Sequence, residues 1–141
     1  MVKRHTPLFF AIAVMMVCGA AAQNAANKSD KGWIAPEEEA ARKNPIAGDA
    51  DAVAGGQKLF VRKCAECHNE DGSGVQDAPD IRVPEVQKQS DGSLFWKITN
   101  GNVRKGMPPF SRLPETQRWQ IVSFLRTLKP GPPAPSSNSP K

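Results

Sequence analysis

Five consecutive residues, Cys64-Ala65-Glu66-Cys67-His68, constrain this chain more than any other feature. They place two thiols three positions apart and an imidazole directly after the second. A disulfide closing so short a loop would gain little and would be strained. A structural zinc site wants four protein ligands. A thioredoxin-like pair wants a preceding strand in a βαβ unit, and the residues before Cys64 read as a helix. C-x-x-C-H is also the attachment signature of a haem: each thiol forms a thioether to a vinyl group and the histidine becomes the proximal iron ligand. The chain needs such a group. With 141 residues, 6% aromatics and no tyrosine, it offers little bulk for a core, and small domains commonly require a staple.

The N-terminus reduces the number of competing ligands. Lys3 and Arg4 precede an apolar run from Leu8 to Ala22, about fifteen residues where roughly twenty would span a bilayer. Ala20-Ala21-Ala22 then offers small residues for cleavage. Residues 1–22 are therefore expected to be a secretory signal peptide, and the mature protein periplasmic. An uncleaved membrane anchor is the alternative; lipidation at Cys18 is disfavoured by the bulky Val17 before it. Cleavage would leave Cys64 and Cys67 as the only cysteines, His68 as the only histidine and Met107 as the only methionine. The basic residues would fall from 19 to 17 with Lys3 and Arg4 while the 14 acids stay, a net charge of +3. No basic stripe with interleaved aromatics is present, so nucleic-acid binding is not expected.

Residues 23–50 read as a flexible leader carrying one short helix, Pro36 to Lys43, with proline first, acids early and bases late. A solvated tether is its plainest role. A second helix is expected from Asp51 to Lys63, with Val53, Gly56, Leu59 and Phe60 on one side. Gly56 inside a helix costs about 1 kcal/mol relative to alanine, which implies close approach of another backbone. Asn69 to Gln89 reads as loop. Asp91 caps a third helix, Ser93 to Asn100, ended by Gly101. The last helix runs from Pro114 to Leu128, with Ile121, Phe124, Leu125 and Leu128 on its apolar face. Residues 130–141 form a Pro/Ser tail that cannot build a core. No stretch alternates as a strand, so the fold class is all-α, with its folded part at residues 51–129.

The second axial position follows from the same inventory. A mature chain with one histidine cannot ligate iron by two. Met107, between Gly106 and Pro108 in a loop of restricted backbone, is the remaining thioether. A thioether opposite histidine raises the potential and suits electron transfer. Gap-filling in the core is the ordinary role of a lone methionine; a lysine ligand or an open site would be the other outcomes.

The stretches GGQKLFVRKCAECH, APD, SLFWKITNG, GMPPF and RWQIVSFLRTL follow one another between about Asp51 and Lys129. In that order the sequence resembles the class I bacterial c-type cytochromes. The resemblance implies a small fold in which N- and C-terminal helices cross around one covalently bound haem c, with Gly56 and Phe60 meeting the last helix near Phe124. It implies that the Pro79 carbonyl accepts the Nδ1–H of His68. It also implies that Trp96 packs at the haem edge, an ordinary core tryptophan being the other reading.

Residues 64–91 hold seven acids against Arg82 and Lys88, and residues 97–129 hold seven bases against Glu115. A basic face beside the methionine loop would steer the protein to an acidic patch on a redox partner; two merely solvated faces are the plainer account. The expectation is a periplasmic one-haem protein that shuttles single electrons between redox proteins. It is expected to be no enzyme and to take no small-molecule substrate. An electron-transfer subunit of a membrane oxidase or dehydrogenase complex, its leader an interaction arm, is the first alternative. A haem enzyme or gas sensor with an open distal site is the second, and Met107 and the missing distal histidine argue against it.

Overall fold

The computed structural model describes residues 33–75 and 78–130. The expected signal peptide, Cys18, the first part of the leader and the tail from residue 131 lie outside the described residues. Among the described residues the chain forms α1 (Glu37–Ala40), α2 (Ala50–Lys63), α3 (Ala65–His68), α4 (Pro84–Gln87), α5 (Asp91–Asn100) and α6 (Glu115–Leu125), with a 3₁₀ turn at Val103–Lys105. No strand occurs among them; one isolated antiparallel bridge pairs Asn102 with Met107. No described helix is long and apolar enough to cross a membrane. The all-α expectation holds.

Helix α2 starts where Asp49 accepts the backbone N–H groups of Asp51 and Ala52 at 2.8 and 3.0 Å, satisfying donors the first turn leaves open. Its buried face is Ala52, Gly56, Leu59 and Phe60, and α6 crosses it there. A Cβ on Gly56 would lie 2.5 Å from the Gln120 carbonyl carbon and 3.0 Å from the Phe124 Cβ, so only glycine admits the α6 backbone. The Phe60 and Phe124 rings meet beside the crossing, centroids 5.2 Å apart and tilted by 51°. Phe60 is 2% exposed, a burial that stabilises by about 2–3 kcal/mol. Helix α6 is buried at Trp119 and throughout Ile121–Leu125, wider than the expected stripe because α2 and α5 both pack on it. It ends at Leu125, three residues short of the expected Leu128, which instead packs on the core from the turn beyond.

Three local expectations need correction. Helix α5 is capped by Ser90, whose hydroxyl accepts the Ser93 N–H at 3.1 Å. Asp91 sits inside the first turn, where its carboxylate takes the Arg126 guanidinium at 2.7 Å. The stretch expected to be loop holds two single-turn helices, α3 and α4. Pro84, at the first position of α4, presets its φ. The third correction concerns the leader. Its helix is only Glu37–Ala40, and residues 33–44 are a strap packed on α5 and α6 rather than a solvated tether. Ser90 Oγ bonds the Ala40 carbonyl at 2.6 Å. Arg42 pairs with Glu39 and Glu115 and lies 4.6 Å over the Phe95 ring. Buried Asn44 donates to Ser123 Oγ at 3.0 Å.

Candidate functional site

The backbone breaks from helical geometry at Cys64 (φ −125°) and resumes for one turn through His68. The Cys64 carbonyl accepts the N–H groups of both Cys67 and His68, at 3.1 and 2.9 Å. One turn therefore gathers both thiols and the imidazole. The thiols are free, Cys64 half-buried and Cys67 exposed. Burial, with a smaller contribution from Cys67, pushes the Cys64 thiol up to about 11. A thiol kept protonated is the reverse of a redox-active pair, which needs a depressed pKa.

The following loop folds back over the motif. Asn69 ends α3 with a positive φ of 55° and ψ of 163°, away from the left-handed helical basin, and its side-chain amide bonds Ser73 Oγ and the Gly74 carbonyl, both at 2.8 Å, which hold it there. The N–H groups of Gly74 and Val75 return to the His68 and Cys67 carbonyls at 3.0 and 2.9 Å. Arg82, 7% exposed, ties down the far end through Asp71 and Asp80 at 2.9 and 2.8 Å. So held, the Pro79 carbonyl faces His68 Nδ1 at 3.4 Å. That contact puts the proton on Nδ1 and leaves the Nε2 lone pair for a metal. Burial, only partly offset by the Pro79 contact, lowers the His68 pKa and favours the neutral imidazole that ligation requires.

Met107 belongs to a second loop, anchored on α5 rather than on the motif. Asn102 and Met107 exchange backbone hydrogen bonds of 2.8 and 3.0 Å, and the Phe110 N–H reaches the Ile98 carbonyl at 3.1 Å. Gly101 opens the loop with φ +63°; a Cβ there would lie 2.5 Å from the Pro108 carbonyl. The methionine backbone is thus closely defined and its side chain half-buried. Trp96 is half-buried on α5 and lines a groove with Arg42, Phe95, Glu115 and Arg118.

The structure brings Cys64, Cys67, His68 and Pro79 together, and it places Met107 and Trp96 on and after α5. Asn69 and Asn102, which shape the two loops, were not singled out from the sequence; an asparagine just beyond a helix was the available signal for Asn69. The donor set fits a haem. Two unbridged thiols stand on one turn, an imidazole has its Nδ1 engaged, and a thioether sits in a hydrogen-bonded loop.

Residues 51–125, just over half the chain, match the family model described as cytochrome c oxidase, cbb3-type, subunit III. Among solved structures, cytochrome cL of the marine methylotrophic bacterium Methylophaga aminisulfidivorans is similar in fold. It has a TM-score of 0.54 and 24% identity over 62% of this chain and 59% of that one, so this chain spans less than two thirds of that protein's length. The c-type cytochrome KustC0563 is 28% identical with a TM-score of 0.49, over 53% of this chain and 98% of that one. No curated protein matches.

Proposed function

The chain belongs to the family of cytochrome c oxidase, cbb3-type, subunit III and is a class I c-type cytochrome, an electron-transfer haem protein; from that premise we propose that it shuttles single electrons between redox proteins in the periplasm. The observation that carries this reading is the His68–Pro79 contact, together with a methionine loop whose backbone is fixed by hydrogen bonds. A bound haem supplies a one-electron iron couple. Cys64 and Cys67 would hold it covalently. His68 would ligate through Nε2 while the Pro79 carbonyl retains the proton on Nδ1, a contact that holds the imidazole to one orientation and one tautomer. Met107 would offer a soft thioether as the second ligand, which would favour the reduced state. With His68 and Met107 both ligating, the protein would perform no bond chemistry of its own.

The basic docking face is smaller than the residue count suggests. Of the seven bases in 97–129, Arg126 is bound to Asp91 and to the Gln87 and Gln89 carbonyls. Arg118 donates to Thr99 at 2.5 Å, and Lys97 sits over Trp33. Arg104, Lys105, Arg112 and Lys129 are exposed. The first three flank the Met107 loop beside Val103, which is 73% exposed. Exposed cations close in the chain to an exposed apolar residue suit brief docking to an acidic partner. A second reading, service as a subunit of a membrane oxidase, is favoured by the description of the matched family; co-purification with a terminal oxidase would select it over a free shuttle.

The test is optical. The purified haem protein is expected to be low-spin in both oxidation states, with a weak methionine–iron band in the oxidised form that Met107→Ala abolishes. A high-spin protein that binds carbon monoxide readily would overturn the carrier reading.

A further inference from the structure

The strap does more at its first residue than hold itself down. Its other anchors reach α5 and α6: Ala40 to Ser90, Arg42 to Glu115 and Phe95, and Asn44 to Ser123. Trp33 instead reaches the entrance of the methionine loop. Its indole N–H donates to the Gly101 carbonyl at 2.6 Å, and the Lys97 ammonium lies 4.5 Å from the centre of its ring. The Lys97 carbonyl accepts the Gly101 N–H at 2.8 Å, so tryptophan, lysine and glycine form one closed unit at the end of α5.

The loop geometry transmits that grip. Gly101 lies against the Pro108 carbonyl, where no Cβ fits. The next residue, Asn102, bonds Met107 through both backbone groups. Gly101 therefore touches the residue after Met107 in the chain and precedes the residue that pairs with it. A rotation of the Gly101–Asn102 peptide would disturb both restraints on the methionine. The Trp33 bond opposes that rotation, because it fixes the carbonyl that would swing.

We propose that Trp33 is a positioning residue for Met107: by holding the Gly101 carbonyl it keeps the methionine loop in the register that presents the thioether to iron. The proposal rests on the axial-ligand reading given above. Its consequence is that a residue outside the matched 51–125 stretch governs how firmly the distal position is closed.

The experiment uses the full-length haem protein and four forms: wild type, Trp33→Phe, Asn44→Ala and Met107→Ala. Trp33→Phe keeps a ring beneath Lys97 and removes only the N–H donor. The readouts are the methionine–iron band, the affinity of the oxidised protein for added imidazole, which competes with Met107, and the melting temperature. Trp33→Phe is expected to bind imidazole about five- to tenfold more tightly, the equilibrium weight of one net hydrogen bond, while melting within a few degrees of wild type. Asn44→Ala is expected to melt lower with imidazole affinity unchanged, since its anchor is Ser123 on α6 and not a residue of the loop. A Trp33→Phe affinity equal to wild type, with the methionine band intact in wild type and lost in Met107→Ala, overturns the proposal and leaves the ligand reading standing. Equal gains in Trp33→Phe and Asn44→Ala also overturn it, showing general loosening. A wild type without the band, spectrally identical to Met107→Ala, overturns the ligand reading and the proposal with it.

Discussion

Alanine at Gly56 would put a methyl 2.5 Å from the Gln120 carbonyl carbon and 3.0 Å from the Phe124 Cβ. Ordinary carbon contacts are about 3.5–4.0 Å, so α2 and α6 must part by about an ångström at their crossing. The obstacle is the backbone of α6, a helix buried from Ile121 to Leu125, and it has no flexible tip to move aside. Overpacking of this kind costs about 1–3 kcal/mol, and a clash with backbone belongs at the upper end. Alanine recovers up to about 1 kcal/mol of helix propensity. The net loss is about 2 kcal/mol, a fall in melting temperature of about 8–16 °C for a domain of this size. Gly55 is the internal control. A Cβ there meets only the side-chain amide of Gln120, nearest at 2.9 Å, which can swing away, so Gly55→Ala should match wild type or melt slightly higher. Thermal unfolding of the three haem-loaded proteins, followed by far-ultraviolet circular dichroism, makes the comparison. A Gly56→Ala protein melting within two or three degrees of wild type, or a Gly55→Ala protein losing as much, would refute the close crossing.

Acid stability should depend on the clamp behind Pro79. Hydrogen bonds from the Arg82 side chain, then from its backbone N–H, lower the Asp80 pKa despite partial burial. A depressed carboxylate contributes stability in full above its unfolded value of about 3.9 and loses it as pH falls through the lower folded value. Asp80→Asn should therefore be less stable than wild type at neutral pH, with the gap closing in acid; denaturant titrations at pH 7 and pH 3 that show a constant gap would contradict this. Ser90→Ala removes both the α5 cap and the bond to the Ala40 carbonyl. It should cost about 1–2 kcal/mol in urea unfolding, and a loss below a few tenths would mean that neither bond matters.

Much of this protein can be read along the chain because its constraints are local. The haem motif occupies five adjacent residues, the bounds of α2 and α5 follow capping and glycine rules, and Gly56 announces a close approach from within its own helix. Elimination among ligands made Met107 a candidate for the same reason, since an inventory needs no coordinates. Proximity between distant segments had no such local sign. Residues 33–44 look like a solvated tether because their acids and bases obey helix-dipole preferences, yet Arg42 finds its partner 73 positions away at Glu115, and Asn44 finds Ser123 across 79. The seven bases of 97–129 look alike in sequence, and only burial separates Arg118 and Arg126, occupied inside, from Arg104, Lys105 and Arg112 at the surface. The sequence by itself determined the C-x-x-C-H motif, the all-α class and the candidate ligands, because these follow from residue type and spacing. The tertiary structure alone decided how the Pro79 carbonyl is held at His68, which bases remain exposed, and that Trp33 grips the entrance of the methionine loop. Each of these is a contact between segments whose separation along the chain carries no information about their distance in space.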